Sequence, residues 1–405
     1  MAGMGFGGLA TVRGLVRARM RVTLVDRNVY STFQPLLYQV ATGGLDPSDV
    51  AYPIRRFAHR YGARFRHGEL AAIDDAAQAI TLASGEKLRY DYLVLATGVS
   101  AAYYGVTGAD KHSLGLYTRR DAVALRDQIM ACLERLSARA AGHDASITVV
   151  GGGSTGVELA GTLAELRDIA LATAFPEIDR SRLRIRLIEQ APALLAPYAP
   201  SLRAYARQQL RDRGVDVRLG TAIREITAEH VVLADGERLP SDVTAWAAGV
   251  TAPDSAGGWG LPQGRGGRIR VGPDLRVVGH ERIFAIGDIA LIDDQPLPQL
   301  AQPALQMGRH AGDQIARLAA GRPADRFVYH DKGIMATIGR RSAVVQLPHR
   351  VRIRGTLAWF AWLGLHLVTL LGNRNRISAL INLAYRYLSW GRGGAVLMDS
   401  DPPPG

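Results

Sequence analysis

A single cysteine, Cys132, is all the thiol chemistry this chain has. One thiol excludes a disulfide framework and any Cys-X-X-Cys redox pair, and it fits a reducing compartment. Cys132 falls in a helix-like run, 121–139, and reads as a small core residue rather than a nucleophile. Ligand clusters are equally scarce. The ten histidines contain no H-x-x-x-H pair, so neither a zinc nor an iron–sulfur site is expected. Lysine is rare too: only Lys87, Lys111 and Lys332 accompany the arginines that bring the net charge to +12. Such a charge suits nucleic acid, an anionic membrane or an anionic ligand, and only its placement can choose among them. No apolar run precedes a small-residue cleavage site, so no signal peptide is expected.

What is present begins with a repeat. Residues 82–99, LASGEKLRYDYLVLATGV, align without a gap to 233–250, LADGERLPSDVTAWAAGV, and nine of the eighteen positions match. Two copies are too few for a solenoid and imply two related domains, for which 405 residues suffice. Each copy has the same grammar. A glycine-rich turn opens a helix, a strand ends in an acid, a Ser-Gly or Asp-Gly hairpin follows, and an apolar strand runs into a glycine. Alternation of strand and helix predicts parallel sheet and an α/β class.

The second copy carries Gly151-Gly152-Gly153-Ser154-Thr155-Gly156 between a β-branched run, 147–150, and a helical stretch, 157–166. This is the context a G-x-G-x-x-G dinucleotide turn requires, with glycines for close approach and a helix N-terminus for the pyrophosphate. Glu189 closes the next strand and can accept from a ribose 2′-hydroxyl, which favours NADH over NADPH. It stands 38 residues after Gly151, and a helical excursion over 167–182 accounts for the excess over the usual ~20. The first copy is Gly3-Met4-Gly5-Phe6-Gly7-Gly8, with Asp26 following at 23 residues from Gly3. Only Met1 and Ala2 precede it, too few for the delivering strand: either the start lies further upstream, or the chain lacks its central first strand. The expectation is an unfilled slot in that sheet and weakened dinucleotide affinity. A third signal, Gly287-Asp288, ends an apolar strand and on its own reads as a turn or a ligand contact.

These motifs resemble the two-dinucleotide-binding-domain flavoproteins, and four further segments narrow the resemblance to the type II, non-proton-pumping NADH:quinone oxidoreductases. They are Phe33-Gln34-Pro35-Leu36-Leu37-Tyr38-Gln39-Val40-Ala41-Thr42-Gly43, the strand 244–250, the segment 301–308 and the segment 331–340. The resemblance runs from Gly3 to about residue 390. It implies that Gly3, Gly5, Gly8, Asp26, Gln34, Pro35, Thr97, Gly98, Gly287, Asp288 and Lys332 serve FAD, and that Gly151, Gly153, Gly156, Glu158, Glu189, Ala248 and Gly249 serve NADH. It places Gln302 and Gln306 at a quinone pocket. Met307 stands where many relatives are polar and Leu305 where some are, which makes that pocket more apolar. Glu158 is read as a nicotinamide or quinone-proton contact, or as a favourable charge in the first turn of its helix. Lys332 is read as a cation beside reduced flavin, or as a surface lysine. Gln302 and Gln306 share a helix face, as pocket or as polar edge.

From 340 to 392 there are nine arginines and no acid, flanking an apolar stretch over 355–372 and a second over 377–390. Aromatics with flanking arginine predict interfacial helices on an anionic leaflet, with one transmembrane helix or a core helix as alternatives. The arginines meet no nucleic-acid motif, so nucleic acid is not an expected partner. The fold expected is α/β, with two nested Rossmann-like domains and a C-terminal membrane-associating helical segment. Residues 1–112 and 256–340 form the FAD domain, 113–255 the NADH domain, and 341–405 the attachment region. The resemblance implies FAD-dependent NADH:quinone oxidoreduction, peripheral on the cytoplasmic face of the inner membrane, and leaves a homodimer open. The alternatives are a soluble ferredoxin- or rubredoxin-type reductase and a non-catalytic flavin- or NADH-binding protein. A sulfide:quinone reductase or disulfide reductase would need more cysteine than Cys132.

Overall fold

The computed structural model describes residues 1–138 and 144–388. The end of the segment 377–390, Arg392 and the rest of the tail lie outside the described residues. The chain divides into two compact units. The first comprises Met1–Thr32, Tyr52–Ser100 and Val250–Lys332, and the second Phe33–Ala51, Ala101–Gly249 and Gly333 onward. The cut differs from the boundaries drawn on sequence, for a packing reason. The short helix Leu37–Ala41 packs on the helices Arg119–Ala138 and Ser154–Glu165, and the strand Ile334–Gly339 packs on Ser154–Glu165, so both segments group with the second unit.

In the first unit, Thr23–Asp26 pairs parallel with Arg64–His67, and Leu93–Leu95 pairs parallel with Ile283–Ala285. The expected open slot lies between these pairs and is closed at its carboxyl end. Ala2 bridges both Val25 and Leu95 in parallel. Its N–H donates to the Val94 carbonyl at 2.9 Å, its carbonyl accepts from Ala96 at 2.7 Å, and the Gly3 N–H reaches Val25 at 2.8 Å. The flanking strands are four and three residues long. The helix Phe6–Arg17 then lies against Ala301–Ala319, glycine to backbone: a Cβ built on Gly308 would stand 2.2 Å from the Gly7 carbonyl oxygen, and one on Gly312 2.7 Å from that of Thr11.

The second unit holds a five-stranded sheet in the order Leu114–Gly115, Val243–Trp246, Ala145–Val150, Leu183–Glu189, Val215–Leu219, all parallel. The repeat is visible in its hairpins. Ala79–Leu82 with Lys87–Arg89, and His230–Leu233 with Arg238–Pro240, turn alike, and Gly85 and Gly236 take φ of 85° and 96°. The excursion after Glu165 consists of a π-helical turn, Leu166–Ala170, a short helix, Leu171–Ala174, and a 3-10 turn, Arg180–Arg182. Cys132 is buried in the helix Arg119–Ala138, as a core residue should be. Two helices close the described chain, Thr356–Thr369 and Asn373–Leu388. Among the described residues no helix is long and apolar enough to cross a membrane. The first of the two has 14 residues, about 21 Å at 1.5 Å per residue, short of the ~30 Å hydrocarbon core.

Gly161, in the middle of Ser154–Glu165, has no room for a side chain: a Cβ would meet the Ile338 carbonyl oxygen at 2.2 Å. Alanine normally stabilises a helix interior by about 0.5–1 kcal/mol over glycine. Gly161→Ala should instead lower stability by about 1–3 kcal/mol, because backbone must move. Gly257→Ala, where nothing lies within 4 Å, should leave the denaturant midpoint nearly unmoved. A stabilised Gly161→Ala protein would disprove the close-contact account.

Candidate functional site

The first unit builds a dinucleotide cradle from its opening residues. Gly3 has φ of 96°, and a Cβ there would strike the Ala96 carbonyl oxygen at 2.2 Å. A Cβ on Gly8 would strike the Gly3 carbonyl oxygen at 2.1 Å, whereas one on Gly5 would meet nothing within 4 Å. The turn is therefore closed by Gly3 and Gly8 and open above Gly5, which caps the helix without a side-chain hydrogen bond. Uncapped N–H groups at a helix start bind anionic groups. Asp26 accepts from the Met4 N–H at 2.7 Å and from the Asn28 N–H at 2.8 Å. Burial raises its carboxyl pKa, while these two N–H groups and Arg27 pull it down. Beside the turn, Thr97 Oγ1 is buried without a hydrogen-bond partner and Gly98 has φ of 71°. Gly287, φ 70°, precedes Asp288, whose carbonyl accepts from Arg268 Nε at 3.1 Å and Gln299 Nε2 at 3.2 Å. An open cradle, an orphaned hydroxyl and a fixed Gly-Asp turn fit a flavin dinucleotide.

The second unit repeats the glycine turn and its acid. Gly151 has φ of 108° and its Cβ would meet the Ala247 carbonyl oxygen at 2.5 Å and Ala248 Cα at 2.7 Å. A Cβ on Gly156 would lie 1.8 Å from the Gly151 carbonyl oxygen, and Gly153, like Gly5, opens on empty space. Glu189 stands where Asp26 stands, accepting from the Gly152 N–H at 2.5 Å and the Ala191 N–H at 2.6 Å.

Glu158 departs from expectation. The helix starts at Ser154, so Glu158 is its fifth residue, beyond the first turn, and only 8% exposed. Its Oε1 accepts from the Thr337 N–H at 3.3 Å. Burial pushes its pKa up to about 8, held back by the Thr337 N–H and by the nearby Trp362 indole N–H, which falls short of full hydrogen-bond geometry. Trp362 stacks on His366 at 4.1 Å and 23°, and packs on Tyr38 at 6.1 Å, while Phe33 meets His366 edge-on at 6.2 Å. His366 Nδ1 bonds the Trp362 carbonyl at 2.7 Å, and burial lowers its pKa to about 4. Burial likewise raises the Tyr198 phenol, and the Glu158 charge adds to it. A carboxyl in this apolar, aromatic setting is neutral at pH 7 and can give or take a proton.

The remaining candidates fall in different places. Gln34 and Pro35 start the 3-10 turn Gln34–Leu36 of the second unit, and Gln34 Oε1 is buried without a partner. Gln302 lies in the first turn of Ala301–Ala319. One turn on, Gln306 uses its amide on main chain: Nε2 donates to the His330 carbonyl at 2.9 Å, and Oε1 accepts from the His330 N–H at 3.0 Å. Lys332, two residues further, is exposed. Thr337, Trp362 and His366 were missed as site residues, although Trp362 and His366 are spaced four apart in the apolar run.

The folded pKa of about 8 for Glu158 exceeds its ordinary 4.5, so the folded chain keeps a proton that the unfolded chain has released. Stability from this group is therefore greatest below pH 4.5 and falls towards pH 8, by up to about 1.4 kcal/mol per unit. Glu158→Gln, neutral throughout, should flatten that slope in urea midpoints taken from pH 5 to 8. An unchanged slope would place the proton elsewhere.

Comparison with known proteins agrees with this geometry. The pyridine nucleotide-disulphide oxidoreductase family model matches residues 2–308. The chain is 38% identical to type II NADH:quinone oxidoreductase NdhA of Mycobacterium tuberculosis, over 96% of this chain and 87% of that one. It is 28% identical to the type II NADH:quinone oxidoreductase of Haemophilus influenzae, over 90% and 91%. In fold it is similar to NDH2 from Plasmodium falciparum in complex with NADH, with a TM-score of 0.88 and 19% identity over 96% and 98% of the two chains. The sulfide:quinone oxidoreductase of Aquifex aeolicus follows at a TM-score of 0.77 and 20% identity, over 95% and 91%. The chain is an oxidoreductase that belongs to the type II NADH:quinone oxidoreductase family, within the pyridine nucleotide-disulphide oxidoreductases.

Proposed function

We propose that this enzyme passes electrons from NADH through bound FAD to a membrane quinone, without pumping protons, on the cytoplasmic face of the inner membrane. The observation that carries the reading is the pair of like-built cradles in one chain, each with its own acid at the ribose position. Gly3, Gly5, Gly8 and the start of Phe6–Arg17 would hold the FAD pyrophosphate, Asp26 its ribose, and Thr97, Gly98, Gly287 and Asp288 the adjoining part. When bound, FAD supplies a two-electron acceptor for hydride and a donor to quinone. Gly151, Gly153 and Gly156 would hold NADH, with Glu189 disfavouring a 2′-phosphate. Lys332 is assigned to the flavin and Gln302 and Gln306 to the quinone pocket, on the resemblance. Glu158 holds a proton on its carboxyl at neutral pH. That suits it to protonate a reduced quinone, a step that needs a group poised near the working pH.

The lipid side of the reading rests on inverted helices. Asn373–Leu388 turns amides inward: Asn375 Nδ2 donates to the Ala51 carbonyl at 2.9 Å, and Asn382 Nδ2 to Asp49 Oδ2 at 2.7 Å. Ile377, Leu380 and Ile381 face out at 58%, 52% and 60% exposure, and Leu357, Phe360 and Val368 do the same on Thr356–Thr369. Exposed Arg341, Arg350, Arg352, Arg354, Arg374 and Arg376 belong to the same unit. An apolar face with flanking arginine suits an anionic bilayer surface.

FAD-reconstituted protein should oxidise NADH with a soluble short-chain quinone, and NADPH at least about tenfold less well, the weight of a ribose carboxylate against a phosphate. Flavin bleaching by NADH without quinone reduction would replace the acceptor with a soluble carrier. A protein that binds both dinucleotides but never bleaches would be a binding module.

Leu357→Glu together with Val368→Glu should cut co-sedimentation with phosphatidylglycerol vesicles at least about tenfold, with the helical circular-dichroism signal retained. A charge at an apolar membrane face costs about 2–3 kcal/mol. Undiminished binding would move attachment to another surface.

A further inference from the structure

Tyr104 combines two unfavourable features. It is 72% exposed, and its φ is 50°, in the left-handed region that a bulky side chain rarely adopts. Its neighbours are firmly held. The Ala102 N–H donates to the Gly249 carbonyl at 3.0 Å, and the Ala102 carbonyl accepts from the Trp246 indole at 2.9 Å. Tyr103 turns inward on Trp246, with ring centres 5.4 Å apart. On the other side, Thr107 bonds Arg224 and Ile226, and Gly108, φ 71°, would place a Cβ 2.4 Å from the Ile226 carbonyl oxygen. Between these anchors the chain turns over at Tyr104 and Gly105, and the Tyr104 ring is set down on Gly249. A Cβ on Gly249 would stand 2.0 Å from the Tyr104 hydroxyl oxygen and 2.8 Å from its ring.

The strand order gives the direction a bound dinucleotide would take. The strand before the Gly151 turn lies between Leu183–Glu189 and Val243–Trp246. Glu189 fixes the ribose of the adenosine half on one side of the turn. The other half of a dinucleotide must leave on the opposite side, over Ala247, Ala248 and Gly249, where Ala247 and Ala248 already touch Gly151.

The geometry points to Tyr104 as an aromatic cover for the nicotinamide half of bound NADH, seated on Gly249, where only a glycine leaves it space. This rests on the dinucleotide reading of the second unit. An exposed ring held against strain gains its contact area when a flat ring or ribose lies along its free face. Gly249 is then a positioning residue: any side chain there lifts the ring away. The obstructing atom is the free end of a side chain, so Gly249→Ala shifts the ring and leaves the backbone in place.

The test is equilibrium binding of NADH to enzyme whose flavin has first been reduced, so that no hydride moves, followed by NADH fluorescence. Tyr104→Ala should weaken NADH by about fivefold, the weight of one aromatic contact. Tyr104→Phe, which keeps the ring, should stay within about twofold of wild type on the same scale. Gly249→Ala should match Tyr104→Ala, and the double variant should be no weaker than either. ADP, which fills the cradle but has no nicotinamide half, should displace NADH from wild type and bind Tyr104→Ala equally well. NADH binding unaffected by Tyr104→Ala, additive losses in the double variant, or an equal loss for ADP would each overturn the assignment. If wild type binds neither NADH nor ADP, the dinucleotide reading itself fails and takes this one with it.

Discussion

Main chain meeting main chain, closer than any side chain would permit, is the constraint on which both units depend. In each cradle the last glycine of the motif stands against the carbonyl of the first, and that first glycine stands against the residue ending the far strand. Strand, turn and helix are locked together by these two contacts with no freedom to spread. The same device recurs at Gly308 and Gly312 against the opening helix, and at Gly161 against the strand Ile334–Gly339. Glycine is costly inside helices, so its presence at these positions has a cause, and close packing is that cause. It lets the helix N-terminus and the acid at the neighbouring strand end be fixed relative to one another by backbone geometry alone.

That rigidity supports a chemically adjustable group one turn further along. Glu158 sits on the helix that Gly156 pulls towards the sheet and Gly161 pulls towards Ile338. Pinned on both sides, the helix drives the carboxyl into an apolar pocket roofed by Trp362. Burial then does the chemical work: it makes the protonated form the resting one. Solvent-exposed, the same residue would be ionised at neutral pH and useless as a proton source. The second unit thus carries its glycine turn and its buried, protonated carboxyl on one helix.

Much of this was legible because turns that need glycine leave few alternatives. The offset repeat, both motifs, Asp26, Glu189 and the Gly-Asp turn at Gly287 could be placed from residue types and spacing. What escaped was whatever depends on long-range packing. Two residues cannot show a strand by periodicity, so the bridging by Ala2 was invisible. Glu158 was placed in the first turn of its helix, because its depth is set by Thr337 and Trp362, far away in the chain. Gln306 was legible as a polar helix residue, but its pairing with His330 was not. Segment 33–51 lies early in the chain, yet groups with the second unit through the contacts of Leu37–Ala41.

The inward amides of Asn373–Leu388 have a consequence for biogenesis. Asn375 and Asn382 find their partners at Ala51 and Asp49, residues that come together with the helix only once the unit has folded. Inserted into lipid beforehand, the helix would leave those amides unsatisfied, at a cost of several kcal/mol for each group. On the proposed membrane reading, folding of the unit therefore precedes its contact with lipid. Until the helix's apolar face is covered, the folded protein holds Ile377, Leu380 and Ile381 against water.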